Sequence, residues 1–404
     1  MKGKVVIRSI AALISIALLG GCEDYFGEKT NLDFIEVPEV DYREVAYVPI
    51  LPVLSDFDRP VDVCVGYDEL IYVVDEATEE VIAMDEAGRI IGRKTIPGAK
   101  AVTQDRRFDL LVIGRTDTAI PAGSAPISFT TIYRLRLLGN SGYGLNDARI
   151  VKKIIHPFYA KSSFSNSDKQ VEFNRIAVIA DNSPVRNNRY YVTRTGPSGN
   201  SLNPDDAVVW FGNDDQYIST ISVNTSSGLF RDYFEDPNGI TTLAQPPQIT
   251  ARTGGDFIFT SLDETNALKV QYIEFNESEF GAEFRPRILE SGTDTSRADG
   301  FINKPNRFTR PYDVTVAGDA TAFIFVVDAA TDSLYQFTAT GLEGVLPPQA
   351  TGINRYQKAS FGGTGSGVTQ FREPLAVAYF NEIVYVADAG NGRVLRFKLT
   401  TDFE

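Results

Sequence analysis

Histidine, cysteine and tryptophan are scarce in this sequence, which has one, two and one of them among 404 residues. A metal cage or catalytic site built from several histidines is therefore excluded, and the lone His156 is expected at the surface or in packing. Basic residues are also few, because 39 Lys and Arg stand against 53 Asp and Glu and give a formal charge of −14. This charge disfavours polyanions, so we predict no nucleic-acid partner.

The abundant residue types indicate a folded, β-rich protein. Hydrophobic residues make up 43% of the chain and charged residues 23%, with 33 Gly, 20 Pro, 26 Phe and 18 Tyr. Such a composition excludes a disordered chain, a collagen and a coiled coil.

The first 21 residues have the pattern of a secretory signal. Three cations precede an apolar run over residues 10–19, which is shorter than the ~20 residues that span a bilayer. The run ends in a motif that resembles the lipobox of bacterial lipoproteins, Leu19-Gly20-Gly21-Cys22. The resemblance implies cleavage before Cys22 and a lipid, palmitate included, on this cysteine. An ordinary signal with an incidental cysteine is the alternative.

Residues 22–44 are rich in Asp and Glu and predict an acidic tether. Lipidation of Cys22 would leave Cys64 as the other cysteine, so no intramolecular disulfide is expected. Cys64 lies in an apolar run and is predicted to be core. The chain is therefore divided into a signal peptide over 1–21, a tether over 22–44 and a folded domain over 45–404.

Internal repeats indicate the architecture of the folded domain. Three segments share a Phe three residues before a Pro, an apolar strand that ends in Asp, and a further apolar strand. These segments are residues 57–85, 308–337 and 371–397. Each reads as short strands separated by turns, with the Pro opening the first strand and the Asp closing the turn after the second.

The last segment resembles the NHL repeat. Two stretches carry the resemblance: Phe361-Gly362-Gly363-Thr364-Gly365-Ser366-Gly367 and Tyr385-Val386-Ala387-Asp388-Ala389-Gly390-Asn391-Gly392-Arg393-Val394. The resemblance implies propeller blades and no particular activity. Weaker strand patterns between residues 99 and 275 bring the number of predicted blades to six. We therefore predict an all-β six-bladed propeller of four-stranded antiparallel blades, with enlarged loops near 139–170 and 276–307.

The two ends of the domain are predicted to meet in one blade. The last repeat has three strands, and residues 45–51 form an orphan strand before the first repeat. Pairing them completes the last blade and removes an exposed edge, and Pro49 is tolerable on an outermost strand. A pair of β-sandwiches is the competing fold.

Asp62 and Asp313 occupy the same position in two repeats and are candidate ligands on the propeller axis. If both face the channel, they could hold a divalent cation such as calcium. The alternative is that inter-blade hydrogen bonds satisfy them, since the last repeat has Ala376 there. Propeller lactonases hold such a cation with Glu, Asn and Asp. No such set can be assigned in this sequence, so we name no metal ligand, no catalytic residue and no other cofactor.

Three arginines are predicted to surround one mouth of the channel. Arg59 and Arg310 precede the repeat proline, and Arg372 lies one residue earlier in register. Arginine forks suit a carboxylate or phosphate ligand. Salt bridges to neighbouring carboxylates are the alternative.

These features together predict a protein of the bacterial cell envelope, anchored by lipid to the outer membrane and facing the periplasm or the surface. We expect a non-enzymatic binding scaffold for an envelope protein or a glycan, in a narrower form an accessory subunit of an outer-membrane complex. The alternative function is a metal-dependent, lactonase-like or lyase-like propeller enzyme.

Overall fold

The computed structural model describes residues 45–119, 123, 125–140, 142–156, 168–197, 204–247, 254–279, 281–289 and 294–403. The predicted signal over 1–21, the lipidation site Cys22 and the tether up to residue 44 lie outside the described residues. Within the described ranges, no helix combines the length and the apolar character needed to cross a membrane.

The described chain forms six sheets, each a blade around a common axis. The first strand of the described residues is β1 (Tyr47–Pro49). Blade one contains β2 (Pro60–Val65), β3 (Ile71–Asp75), β4 (Glu80–Met84) and β5 (Ile90–Thr95). Blade two contains β6 (Ala101–Gln104), β7 (Asp109–Thr118), β8 (Ile127–Arg136) and β9 (Arg149–Ile155). Blade three contains β10 (Glu172–Val178), β11 (Tyr190–Thr195), β12 (Ala207–Phe211) and β13 (Tyr217–Thr220).

The remaining blades follow the same antiparallel order, with an added hairpin in blade four. That hairpin is β14 (Val223–Thr225) and β15 (Gly228–Phe230). Blade four itself contains β16 (Pro237–Thr242), β17 (Phe257–Ser261), β18 (Val270–Ser278) and β19 (Gly281–Arg287). Blade five contains β20 (Pro311–Val316), β21 (Ile324–Asp328), β22 (Ser333–Phe337) and β23 (Phe361–Gly362). Blade six contains β24 (Pro374–Phe380), β25 (Ile383–Asp388) and β26 (Arg393–Leu399). Within the described ranges, the helical segments are four 3-10 turns, Asp168–Gln170, Gln349–Thr351, Ala389–Asn391 and Thr400–Asp402.

The hydrophobic core is divided into clusters between neighbouring blades. Successive side chains of a strand point to opposite faces, so a blade buried on both faces reads as a continuous apolar run. On β3, for example, Tyr72 and Val74 pack toward blade two, whereas Ile71 and Val73 pack toward blade six. All four side chains are fully buried. The apolar repeats of the sequence therefore become the contacts that hold the ring of blades together.

An aspartate at the end of the second strand fastens the chain that leads into the blade. In blade one, the Asp75 carboxylate accepts backbone N–H bonds from Asp58 at 2.7 Å and Arg59 at 3.1 Å. Asp328 in blade five and Asp388 in blade six receive equivalent bonds. The three carboxylates are fully buried, and these contacts satisfy groups that would otherwise be costly to bury. The repeated Asp thus has a structural role.

The two ends of the described chain meet in blade six, as predicted. Strand β1 pairs antiparallel with β26, with Tyr47 opposite Leu399 and Pro49 opposite Phe397. The side chain of Tyr47 is buried against Phe325 of blade five, with ring centroids 6.0 Å apart. This strand gives the last blade its fourth member and closes the ring.

Blade four carries a hairpin in addition to its four predicted strands. The β14–β15 hairpin adds two strands, because β14 pairs in parallel with β19 through Val223 and Phe284. The prediction of an enlarged loop over 276–307 is wrong in its first part, since residues 276–278 belong to β18 and residues 281–287 to β19. A long antiparallel pair satisfies its own backbone hydrogen bonds, which is why the chain extends here as strand.

Candidate functional site

The two aspartates predicted as axial ligands lie together on the propeller axis. An arginine that no sequence motif marks lies beside them. Asp62 lies on β2, Asp313 on β20 and Arg175 on β10, and all three are buried. The Arg175 Nε atom lies 3.4 Å from Asp62 Oδ1 and 4.0 Å from Asp313 Oδ1. Its Nη2 atom donates to the carbonyl oxygens of Val61 at 2.8 Å and Leu375 at 3.1 Å. One guanidinium therefore joins blades one, three, five and six.

The two aspartates also connect neighbouring blades. Asp62 accepts a hydrogen bond from the Val102 N–H of blade two at 2.7 Å, and Asp313 accepts one from the Val377 N–H of blade six at 3.0 Å. These are the inter-blade bonds that stood as the alternative to metal binding. The axial cation stays a prediction, and the positive charge of Arg175 beside both carboxylates counts against it.

Burial and the shared arginine set the protonation of this axial cluster. Burial raises the pKa of Asp62 and raises the pKa of Asp313 to about 7, while the charge of Arg175 opposes both shifts. One guanidinium neutralises one carboxylate, and Asp62 is the nearer of the two. Asp313 is therefore the group that holds a proton up to about neutral pH.

The cavity beside the axial cluster is small. The innermost strands of the blades line it, with Cys64 half-buried on its wall, and its volume is about 60 Å³. A water molecule needs roughly 10–15 Å³ of such space, whereas a drug-sized ligand needs about 300 Å³ or more. The axis can therefore hold a few waters and has no room for a sugar ring.

The three predicted arginines stand just before the innermost strands of consecutive blades. Arg59 makes ion pairs with Glu76 at 3.0 Å and Glu373 at 3.1 Å, which fits the salt-bridge alternative. The exposed Arg310 guanidinium lies 5.4 Å from the centroid of the Tyr312 ring. Arg372 is exposed as well, two residues before β24. A ligand role for these arginines stays a prediction.

The single histidine is part of the core. His156 follows β9, is buried, and packs edge-on against Phe173 of blade three with ring centroids 5.7 Å apart. Its backbone N–H donates to the carbonyl oxygen of Thr130 at 3.0 Å. This placement accords with the packing role expected from the sequence.

A larger concave surface lies on the outer part of blade four. We call it the rim groove and define it by residues 224–226, 233, 268, 271–272, 285–288 and 303; its volume is about 610 Å³. Strands β14, β18 and β19 supply most of its lining. Its size falls in the range of ligand-binding pockets, about 300–1,000 Å³. No sequence signal marks this groove, because its segments are far apart along the chain and share no motif.

Internal contacts hold the polar side chains of the rim groove in place. The Tyr233 hydroxyl donates to Gln271 Oε1 at 2.6 Å, and Gln271 Nε2 donates to the Leu268 carbonyl oxygen at 2.9 Å. The Arg287 guanidinium lies over the Tyr272 ring, 5.3 Å from its centroid. Burial raises the pKa of both tyrosines, so their hydroxyls stay protonated. The groove therefore presents ordered hydrogen-bonding groups.

Comparison with known proteins supports the fold. No protein-family model matches the sequence, and no curated protein matches it. Among solved structures, an auxiliary nutrient binding protein from Bacteroides ovatus superposes with a TM-score of 0.51 at 14% identity, over 89% of this chain and 77% of that one. One from Bacteroides thetaiotaomicron gives 0.50 at 12% identity, over 88% and 76%. Virginiamycin B lyase from Staphylococcus aureus gives 0.44 at 12% identity, over 88% and 99%. At these identities the likeness to the two Bacteroides structures shows a shared fold.

Proposed function

We propose that this chain is a lipid-anchored propeller of the bacterial cell envelope that binds a protein or a glycan without chemical turnover. One observation carries the proposal. The axial cavity beside the buried Arg175 cluster has a volume of about 60 Å³, whereas the rim groove has a volume of about 610 Å³. Enzymes on concave scaffolds need a pocket for the substrate beside the reacting groups. Here the space for a ligand lies away from the buried charged groups of the axis.

The location in the envelope rests on the N-terminal sequence. The signal-like residues 1–21 and the lipobox-like motif at Cys22 support lipid anchoring to the outer membrane. The two Bacteroides neighbours described as auxiliary nutrient binding proteins support a binding role for a propeller of this shape. An accessory subunit of an outer-membrane complex is the narrower form of the proposal.

The test is affinity purification of the lipidated protein from its native membrane after crosslinking in place, read out by mass spectrometry, together with a glycan array. The proposal expects a stoichiometric envelope partner or a defined glycan ligand. A stoichiometric metal in elemental analysis, joined to turnover of one substrate in a lactone panel, would overturn it in favour of the lactonase-like enzyme.

A further inference from the structure

The charged side chains that line the rim groove are both basic, in an otherwise acidic protein. Arg285 and Arg287 line it, and none of the described residues that line it is Asp or Glu. The whole chain has a formal charge of −14. A concave surface lined by two arginines and no carboxylate therefore differs in charge from the molecule as a whole. Guanidinium groups recognise carboxylates through paired N–H donors. An anionic ligand therefore complements this groove.

Both arginines keep donors for a ligand. Arg285 Nη2 lies 2.8 Å from Glu283 Oε1, and Arg287 Nη1 lies 3.4 Å from Glu274 Oε1. Each ion pair engages one nitrogen of a group with five N–H donors. All four side chains are about a third or more exposed, and exposed ion pairs of this kind hold their partners weakly. A carboxylate in the groove can therefore compete for both guanidinium groups.

The rest of the lining suits a sugar better than a peptide. Side-chain amides and hydroxyls alternate with apolar surface, in the set Asn224, Thr225, Ser226, Tyr233, Leu268, Gln271, Ile288 and Asn303. Such a mixture fits a ring that presents hydroxyls along its edge and C–H groups on its face. Peptides commonly dock by adding a strand to an unpaired sheet edge. Strand β18 is paired on both sides, whereas β14 meets β19 only through Val223 and Phe284. The edge that this leaves over residues 285–287 is three residues long and contains Pro286, which has no N–H to donate to an added strand.

From these contacts we propose that the rim groove binds a carboxylated sugar unit of an acidic glycan, such as a uronic acid. The proposal rests on the binding function proposed above and names its ligand class. Arg285 and Arg287 bind the carboxylate. The Asn303 amide, the Ser226 hydroxyl and the Oδ1 atom of Asn224, whose Nδ2 donates to Glu283 Oε1 at 2.6 Å, bind the sugar hydroxyls.

The test compares two oligosaccharides that differ in charge alone. The full chain, purified in detergent, is titrated calorimetrically with tetragalacturonate and with its carboxyl-reduced counterpart. We expect the charged oligomer to bind about tenfold or more tightly than the neutral one, and this preference to shrink as salt is raised. The double variant Arg285→Gln with Arg287→Gln should lose the preference. Arg89→Gln, which changes an exposed arginine of blade one paired with Asp85, should retain it.

A second variant separates charge from hydrogen bonding. Asn303→Ala should weaken both oligomers by a similar factor and leave the preference unchanged, because it removes an amide and no charge. Equal binding of the two oligomers, an unchanged preference in the double arginine variant, or equally tight binding of an oligoglutamate peptide would overturn the inference. If the protein instead captures a neutral glycan or an envelope protein, the proposed function stands without this ligand class. If it binds none of these and turns over a lactone, the proposed function itself fails.

Discussion

Replacing Asp313 by asparagine should remove a pH-dependent loss of stability. In the folded protein, burial raises the pKa of Asp313 to about 7, against 3.8 for an ordinary aspartate. The folded state therefore binds this proton more tightly than the unfolded chain does. The stability from the protonated group is fully present below about pH 3.8, and it is lost as the pH rises through about 7. Asparagine keeps an oxygen that can accept the Val377 N–H bond but cannot ionise.

The size of the effect follows from the two pKa values. Each pKa unit corresponds to about 1.4 kcal/mol, so the full loss is about 4 kcal/mol. Part of it has already occurred at pH 5, which leaves about 3 kcal/mol between pH 5 and pH 8. The new amide group beside Arg175 adds an offset of its own to the stability at every pH. The informative quantity is therefore the change with pH in the stability difference between variant and wild type.

Urea unfolding at pH 5, 6.5 and 8 measures this quantity. Trp210, the one tryptophan of the chain, is buried in blade three and reports unfolding by its fluorescence. From pH 5 to pH 8, the free energy of unfolding of Asp313→Asn should rise by about 3 kcal/mol relative to that of wild type. Asp56→Asn, at an exposed position, serves as the control and should follow wild type. Parallel pH curves for Asp313→Asn and wild type would refute the assignment of the proton to Asp313.

Three further substitutions test closure, repeat structure and anchoring. Tyr47→Ala should cost about 3 kcal/mol in urea unfolding, because it removes a buried ring that packs on Phe325, and a cost under 1 kcal/mol would argue against closure by β1. Asp328→Ala should lower the free energy of unfolding by about 2 kcal/mol. It should also speed hydrogen exchange at the Thr309 N–H, which donates to Asp328 at 2.6 Å. Unchanged exchange at this N–H would contradict the structural role of Asp328. Cys22→Ser should move the protein from the membrane fraction to the soluble fraction, and retention in the membrane would disprove the lipid anchor.

Most of the fold could be predicted from the repeats, because their signals depend on residues that are close together in the sequence. A proline that opens a strand, an aspartate that caps a turn and a run of β-branched residues are all readable from neighbouring positions. The orphan strand with Pro49 was readable for the same reason, since a last repeat with three strands needs a fourth. The hairpin over 223–230 escaped notice because its strands have three residues each, too few to show a period.

The axial cluster shows where prediction from the sequence stopped. The equivalent positions of Asp62 and Asp313 were visible from the repeats, and the structure places both on the axis. Arg175 sits in a weak repeat with no motif around it, so nothing in the sequence paired it with either aspartate. Its presence changes the chemistry of the site, because a fixed positive charge now lies where a cation was expected.

The sequence by itself determined the class of fold, the number of blades, the closure of the ring and the acidic character of the protein. These follow from composition and from short patterns repeated along the chain. Only the tertiary structure decided which charges meet on the axis and that Asn224, Arg285 and Asn303 line one groove. These contacts depend on how distant strands pair and how loops run between blades. The residues that form them carry no local sequence signal that marks them as neighbours.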